Sequence, residues 1–135
     1  MDFQKLGKIT ATKSNAIDIE VPFASLHKQI AKLRLSGFYR ISTITGIDTG
    51  KEIEIIYHIS NEIFTINIKT KISRNNPSIE TIVDYFPGAA LYEREVAEML
   101  GIRIKGNLKP KNIFLDDASP KAPLRKKKNE INLKN

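Results

Sequence analysis

The sequence predicts an α+β fold: a small mixed or antiparallel sheet packed with helices, followed by an extended C-terminal docking arm. Three observations carry this reading. Residues 52–59 and 63–72 alternate apolar and polar side chains, the period of a half-buried strand. Residues 23–36 and 92–101 place apolar side chains at helical spacing. Beyond Gly106 both periods fade, and Pro110, Pro120 and Pro123 interrupt the chain. A chain of 135 residues suits one modest core, so residues 1–106 form the domain and residues 107–135 the arm with its basic tail.

In chain order, residues 1–15 are polar and weakly patterned, with Ile9 and Ala11 starting a strand. Residues 16–21 alternate apolar and acidic side chains and form a strand that Pro22 ends. Residues 23–36 form an amphipathic helix. Phe23, Leu26, Ile30, Leu33 and Leu35 make its stripe, Lys28, Lys32 and Arg34 its polar face, and Gly37 closes it. His27 has no assigned role. Residues 38–45 are rich in β-branched side chains and form a strand, and residues 46–50, with Gly46, Asp48 and Gly50, form a turn.

Ile53, Ile55, Tyr57 and Ile59 share one face of the next strand, and Ser60, Asn61 and Glu62 turn the chain. In residues 63–72, Phe64, Ile66, Ile68 and Thr70 oppose Thr65, Asn67 and Lys69, which predicts an antiparallel hairpin with the preceding strand. Ser78 serves as N-cap for a short helix over residues 79–86, with Ile79, Ile82, Val83 and Phe86 at helical spacing. Pro87 and Gly88 break it. A charged helix follows, with Tyr92, Val96 and Met99 inward and Glu93, Arg94 and Glu98 on other faces. Arg94 and Glu98 stand at i,i+4, a pair worth a few tenths of a kcal/mol on a solvated helix, and Gly101 suits the helix end. Residues 102–107 are extended. In the arm, Ile113, Phe114 and Leu115 form an apolar cluster that needs a surface to dock on.

The composition excludes several chemistries. With no cysteine there is no disulfide, thiolate zinc site, cysteine nucleophile or cysteine-ligated iron–sulfur cluster. His27 and His58 are the only histidines and make a weak metal site. No glycine-rich phosphate loop and no nucleophile with a base at recognisable spacing is present. Glu93, Glu95 and Glu98 resemble paired carboxylates, but Glu95 and Glu98 share a helix with Arg94, which favours their ionised forms, whereas a general acid needs a raised pKa. No catalytic, cofactor-binding or metal-binding residue is therefore assigned. No signal-like run or membrane span is visible, which points to the cytoplasm. The net charge of +7 gathers at Lys121 and residues 125–128. Such a tail suits nucleic acid, anionic headgroups or an acidic protein, or else serves as a disordered solubilising end.

The run Tyr92-Glu93-Arg94-Glu95, followed by Glu98-Met99-Leu100-Gly101-Ile102, resembles the signature of the 30 kDa subunit of respiratory complex I, its C subunit. The same domain occurs in membrane-bound nickel–iron hydrogenases. Residues 44–48, 55–58, 77–79 and 86–89 are similar to family landmarks. So are Leu115-Asp116-Asp117 and Pro123-Leu124-Arg125-Lys126 in the arm, so the resemblance spans residues 16–128. One segment departs: after Gly106 the chain reads Asn107-Leu108-Lys109-Pro110-Lys111, where quinone-reducing members usually read His-Pro-Asp-Leu-Arg-Arg. That departure, with a chain shorter than typical complex I members, resembles the hydrogenase branch.

The resemblance implies a non-catalytic hydrophilic scaffold subunit of a membrane-bound, energy-converting, ferredoxin-linked and proton-reducing hydrogenase. The chain itself holds no cofactor. The nickel–iron site and iron–sulfur clusters belong to partners: a large hydrogenase or 49 kDa-like subunit, a small iron–sulfur subunit and a ferredoxin-like subunit. The complex places it peripherally on the cytoplasmic face of the cell membrane. The alternative is the C subunit of a complex I-like NADH/quinone oxidoreductase, and a distant alternative is a basic nucleic-acid-binding module. On the family reading Glu93, Arg94, Glu95 and Glu98 are interface or fold-fixing groups, and Asp116, Asp117 and Arg125 are arm contacts.

Overall fold

The computed structural model describes residues 2–106. After a 3-10 turn at Phe3–Lys5 the order is β1 (Lys8–Thr12), β2 (Ala16–Glu20), α1 (Phe23–Leu35), β3 (Arg40–Asp48), β4 (Ile53–Ser60) and β5 (Thr65–Ile72). A shorter second part follows: β6 (Ser78–Glu80), α2 (Ala89–Leu100) and β7 (Arg103–Lys105). The first five strands make one sheet in the order β1-β2-β5-β4-β3, and β6 and β7 make a separate parallel pair. The fold is therefore α+β, as its periodicities predict.

The sheet is mixed because α1 carries the chain across it. The next three strands form a meander that returns β5 to the side of β2. Ala16 to Glu20 pair in parallel with Thr65 to Lys69, while β1/β2, β4/β5 and β3/β4 are antiparallel. The hairpin expected from residues 52–72 is β4/β5, in register from Ile53 with Ile72 to Ser60 with Thr65.

Isoleucine dominates the core. Ile17 and Ile19 of β2, Ile53, Ile55, Tyr57 and Ile59 of β4, and Ile66, Ile68 and Ile72 of β5 are all buried. A β-branched side chain has one favoured χ1 and packs well on a pleated surface, so it loses little entropy there. Leu26, Ile30 and Leu33 of α1 join the same cluster. The stripe is narrower than expected. Leu35 is 85% exposed, because about 100° of turn per residue carries it to the far side from Leu33. Phe23 is also exposed, and Gln29 is buried instead. Gly37 has φ 97° as the helix ends, and Phe38 N–H donates to the Leu33 carbonyl at 3.1 Å.

Two expectations are corrected. Residues 79–86 form no helix. Ser78–Glu80 is strand β6, Arg103 N–H donates to the Pro77 carbonyl and Thr81 N–H to the Lys105 carbonyl. Ile79, Ile82 and Phe86 are buried all the same. The segment is short and rich in β-branched residues, both unfavourable for a helix, and a parallel partner strand was available. Ser78 is accordingly no N-cap.

Residues 46–48 belong to β3, and the chain turns only at Thr49 to Lys51. Gly46 is there for a close approach. A Cβ on it would stand 2.5 Å from Leu100 Cδ1 and 3.0 Å from Val96 Cγ1 of α2. We expect Gly46→Val to overpack this contact and cost about 1–3 kcal/mol. Urea unfolding checks it: a lower midpoint with an unchanged slope is the expected result.

Candidate functional site

Helix α2 starts after Gly88 and ends on Gly101, whose φ of 68° and ψ of 39° make a left-handed cap. Its buried residues are Ala89, Glu93, Val96, Glu98 and Leu100. The helix is thus rotated from the expected orientation, since Tyr92 and Met99 lie only partly buried at the edges. A row at i, i+4, i+7 and i+11 from Ala89 faces the core, and a carboxylate stands in the middle of it.

That carboxylate is Glu93, which has no exposure at all. Thr81 Oγ1 donates to Glu93 Oε1 at 2.6 Å, and Ile82 N–H donates to Oε2 at 2.8 Å. The irregular segment after β6 is therefore hydrogen-bonded directly to α2. Burial pushes the Glu93 carboxyl above its ordinary range, and the two hydrogen bonds oppose that rise in part. The Tyr57 hydroxyl is also buried, without a hydrogen-bond partner among the described residues, and burial together with the Glu93 charge raises its pKa.

The other predicted residues of α2 divide. Glu95 is exposed. Glu98 is buried on the flank of the helix. Arg94 is partly buried, and its Nε has no hydrogen-bond partner among the described residues. Asp116, Asp117 and Arg125 lie outside the described residues.

Residue order alone did not reveal a second fastener. Asp48 takes a bidentate ion pair from Arg74, with Nε to Oδ1 at 2.8 Å and Nη2 to Oδ2 at 3.0 Å, and Gly50 N–H donates to the same Oδ1 at 2.9 Å. The Asp48 side chain is fully buried in this pair. It ties the β3–β4 turn to the loop after β5.

On the open face of the sheet a polar row crosses four strands. Asn67 Nδ2 donates to Asp18 Oδ1 at 2.7 Å, His58 Nδ1 lies 2.7 Å from Asn67 Oδ1, and Thr45 Oγ1 lies 2.9 Å from His58 Nε2. Since Asn67 Oδ1 is an acceptor, His58 Nδ1 carries a proton. Among the described residues no group of three or more His, Cys, Asp or Glu side chains is placed to hold a metal ion. No helix among them is long and apolar enough to cross a membrane.

The Glu93 geometry sets a pH dependence. A carboxyl whose folded pKa is raised gives most stability below its unfolded value, and that share is lost as pH rises through the folded value. We expect Glu93→Gln to remove this falling segment of the stability curve while keeping an acceptor for Ile82 N–H. Glu93→Ala leaves that buried N–H unpaired and costs about 1–3 kcal/mol. Denaturant titrations of the three proteins between acid and neutral pH check both. A wild-type minus Glu93→Gln difference that is flat with pH would refute the assignment.

A family model described as "Respiratory-chain NADH dehydrogenase, 30 Kd subunit" matches residues 19–131. The chain is 34% identical over 113 residues to the C/D subunit of NADH-quinone oxidoreductase from Phocaeicola vulgatus, covering 80% of this chain and 22% of that one. It is 33% identical over 94 residues to the C subunit of F(420)H(2) dehydrogenase from Methanosarcina mazei, covering 66% of this chain and 60% of that one. Its span is thus less than two thirds of either relative. Among solved structures, a chain of the membrane-bound sulfane sulfur reductase, an archaeal respiratory membrane complex, shares the fold. The TM-score is 0.76 at 22% identity, over 86% of this chain and 76% of that one. The signature on α2, the mixed sheet beneath it and the match over residues 19–131 lead to one conclusion: the chain belongs to the family of the respiratory-chain NADH dehydrogenase 30 Kd subunit.

Proposed function

We propose that the chain is a non-catalytic scaffold subunit of a membrane-bound, energy-converting hydrogenase, ferredoxin-linked and proton-reducing. In this role it packs against the large subunit that holds the nickel–iron site. The electron path runs through a small iron–sulfur subunit and a ferredoxin-like subunit. The chain sits peripherally on the cytoplasmic face and meets the membrane through the complex.

The observation that carries the scaffold reading is Arg94. A guanidinium N–H that is buried without an acceptor costs about 1–3 kcal/mol in the isolated chain. A carboxylate or carbonyl of a partner removes that cost on assembly, and in a desolvated interface a hydrogen-bonded charge pair of this kind matters far more than on a free surface. Glu95 is exposed beside it. Glu93, wholly inside, takes the fold-fixing role that the family signature left open. Glu98, Asp116, Asp117 and Arg125 remain proposed contacts of the assembled complex.

The hydrogenase branch is favoured by Asn107-Leu108-Lys109-Pro110-Lys111, which replaces the motif of quinone-reducing members. The names F(420)H(2) dehydrogenase and sulfane sulfur reductase support a wider range of redox partners than quinone within this fold. The name NADH-quinone oxidoreductase on a relative at 34% identity supports the second reading, a complex I-like dehydrogenase.

The test is purification of the tagged chain from solubilised native membranes, with nickel and iron measured in the material that accompanies it. Nickel with abundant iron is expected. Iron without nickel selects the dehydrogenase reading, and no metal with no stable partner defeats the scaffold. Arg94→Ala is expected to lower co-purification of the large subunit about tenfold or more, which corresponds to about 1.4 kcal/mol of interface energy.

A further inference from the structure

One corner of the domain is built unlike the rest of its surface. Arg40 pairs with Ser60 across β3 and β4, and Ser60 pairs with Thr65 across β4 and β5. The β4–β5 turn therefore stands beside the residues that leave α1. The Tyr39 hydroxyl donates to Glu62 Oε1 in that turn, and the Arg40 guanidinium carbon lies 5.6 Å from the Tyr39 ring centroid. Leu35, the last residue of α1, is 85% exposed; Ile63, next to Glu62, is 81% exposed; Tyr39 is 41% exposed. Half of the six large hydrophobic side chains exposed among the described residues thus gather where α1 ends and β3 begins.

The charge around them is mainly positive. Residues 21–47 contain no aspartate or glutamate, while Lys28, Lys32, Arg34 and Arg40 all lie in that stretch and are exposed. The ion pairs among the described residues join Lys71 to Glu20 and Glu52, and Arg74 to Asp48, and none of them involves α1. The Glu62 carboxylate at the corner accepts from the Tyr39 hydroxyl and leaves the lysines and arginine of α1 without an ion pair among the described residues. A preorganised tyrosine stacked with arginine and flanked by two protruding aliphatic side chains has the composition of an interface core with a cationic rim.

We infer that this corner is a docking surface for a second protein subunit whose facing patch is apolar and ringed by carboxylates. The inference rests on the scaffold reading and adds a contact separate from Arg94. A lipid surface fits poorly, because the apolar face of α1, with Leu26, Ile30 and Leu33, is turned to the core and cannot insert. A second copy also fits poorly, since a two-fold contact would set Arg34 and Arg40 against themselves.

The test uses the complex purified from native membranes, with a benzophenone amino acid placed at position 35 or 63. After irradiation, cross-linked peptides are identified by mass spectrometry. Both positions are expected to link to one other polypeptide, in a segment containing aspartate or glutamate. Arg34→Glu with Arg40→Glu is expected to cut that yield at least tenfold. Leu35→Ser with the probe at 63 is expected to do the same at an unchanged melting midpoint, so a folding defect from charge reversal does not decide the matter. Links only to another copy of this chain, links only to lipid, no links, or yields that both variants leave unchanged would each overturn the inference. Failure at the corner in a chain that still co-purifies with its metal-bearing partners leaves the scaffold standing, and a chain that purifies alone overturns both.

Discussion

A carboxylate with no access to water holds the second half of the domain in place. Glu93 sits on the inward row of α2 and accepts from Thr81 Oγ1 and Ile82 N–H. Those two donors belong to a stretch that is neither helix nor strand, whose other backbone hydrogen bonds are mostly local turn bonds such as those of Tyr85 and Phe86 N–H to the Ile82 carbonyl. The chain then runs through α2 into β7, which pairs with β6 immediately before that stretch. The carboxylate is thus at the centre of a closed circuit: strand, irregular segment, helix, strand. Burying a charge is costly, and the raised pKa records the cost. What it provides is orientation. With Glu93 inward, Arg94 and Glu95 are directed away from the core row.

Asp48 works in the same way between the β3–β4 turn and the loop after β5. Its buried carboxylate grips Arg74 and the Gly50 N–H, so the β3–β4 turn and the loop before β6 share one fastener. Two residues before Asp48 stands Gly46, where α2 meets β3 so closely that a methyl group would collide with Leu100. These features belong together. The helix is drawn onto the sheet by Ala89, Val96 and Leu100, admitted by the missing side chain at Gly46, and locked in rotation by Glu93. Breaking either buried charge leaves uncompensated polar groups, which is why one-sided substitutions there are more severe than the modest net worth of an intact pair.

Much of this was legible in the residue order, and the failures have physical causes. Period-two alternation marked β4 and β5, and their hairpin, because one face is water and the other core. Gly101 marked the end of α2, since its positive φ suits glycine. The parallel β2/β5 pair was not visible, because the residues that meet there are about fifty positions apart and no local pattern encodes the crossover. Residues 79–86 misled because Ile79, Ile82, Val83 and Phe86 satisfy helical spacing while their β-branching and a waiting partner strand favour extension. The rotation of α2 misled because a glutamate in a charged run reads as a surface residue. Only the donors at Thr81 and Ile82, eleven or more positions upstream, reveal that it is inside. Arg74, 26 positions from Asp48, gave no signal for the same reason.

The sheet leaves its incomplete groups at its margins. One face is filled by α1 and α2. The other is crossed by the row Thr45, His58, Asn67 and Asp18, whose side chains satisfy one another laterally, and it carries the ion pairs from Lys71 to Glu20 and Glu52. Groups already hydrogen-bonded to neighbours gain little from a partner, because docking would exchange good bonds for others and still remove water from them. The groups that do stand to gain are those the fold leaves incomplete: the buried Nε of Arg94 on α2, and the protruding Leu35 and Ile63 with the cations around them. Both are by-products of how the core is closed, one of the rotation that Glu93 imposes on α2, the other of the narrow stripe that turns Leu35 outward from α1. On the proposed scaffold reading, specificity is set by which unsatisfied groups the folding places on the outside.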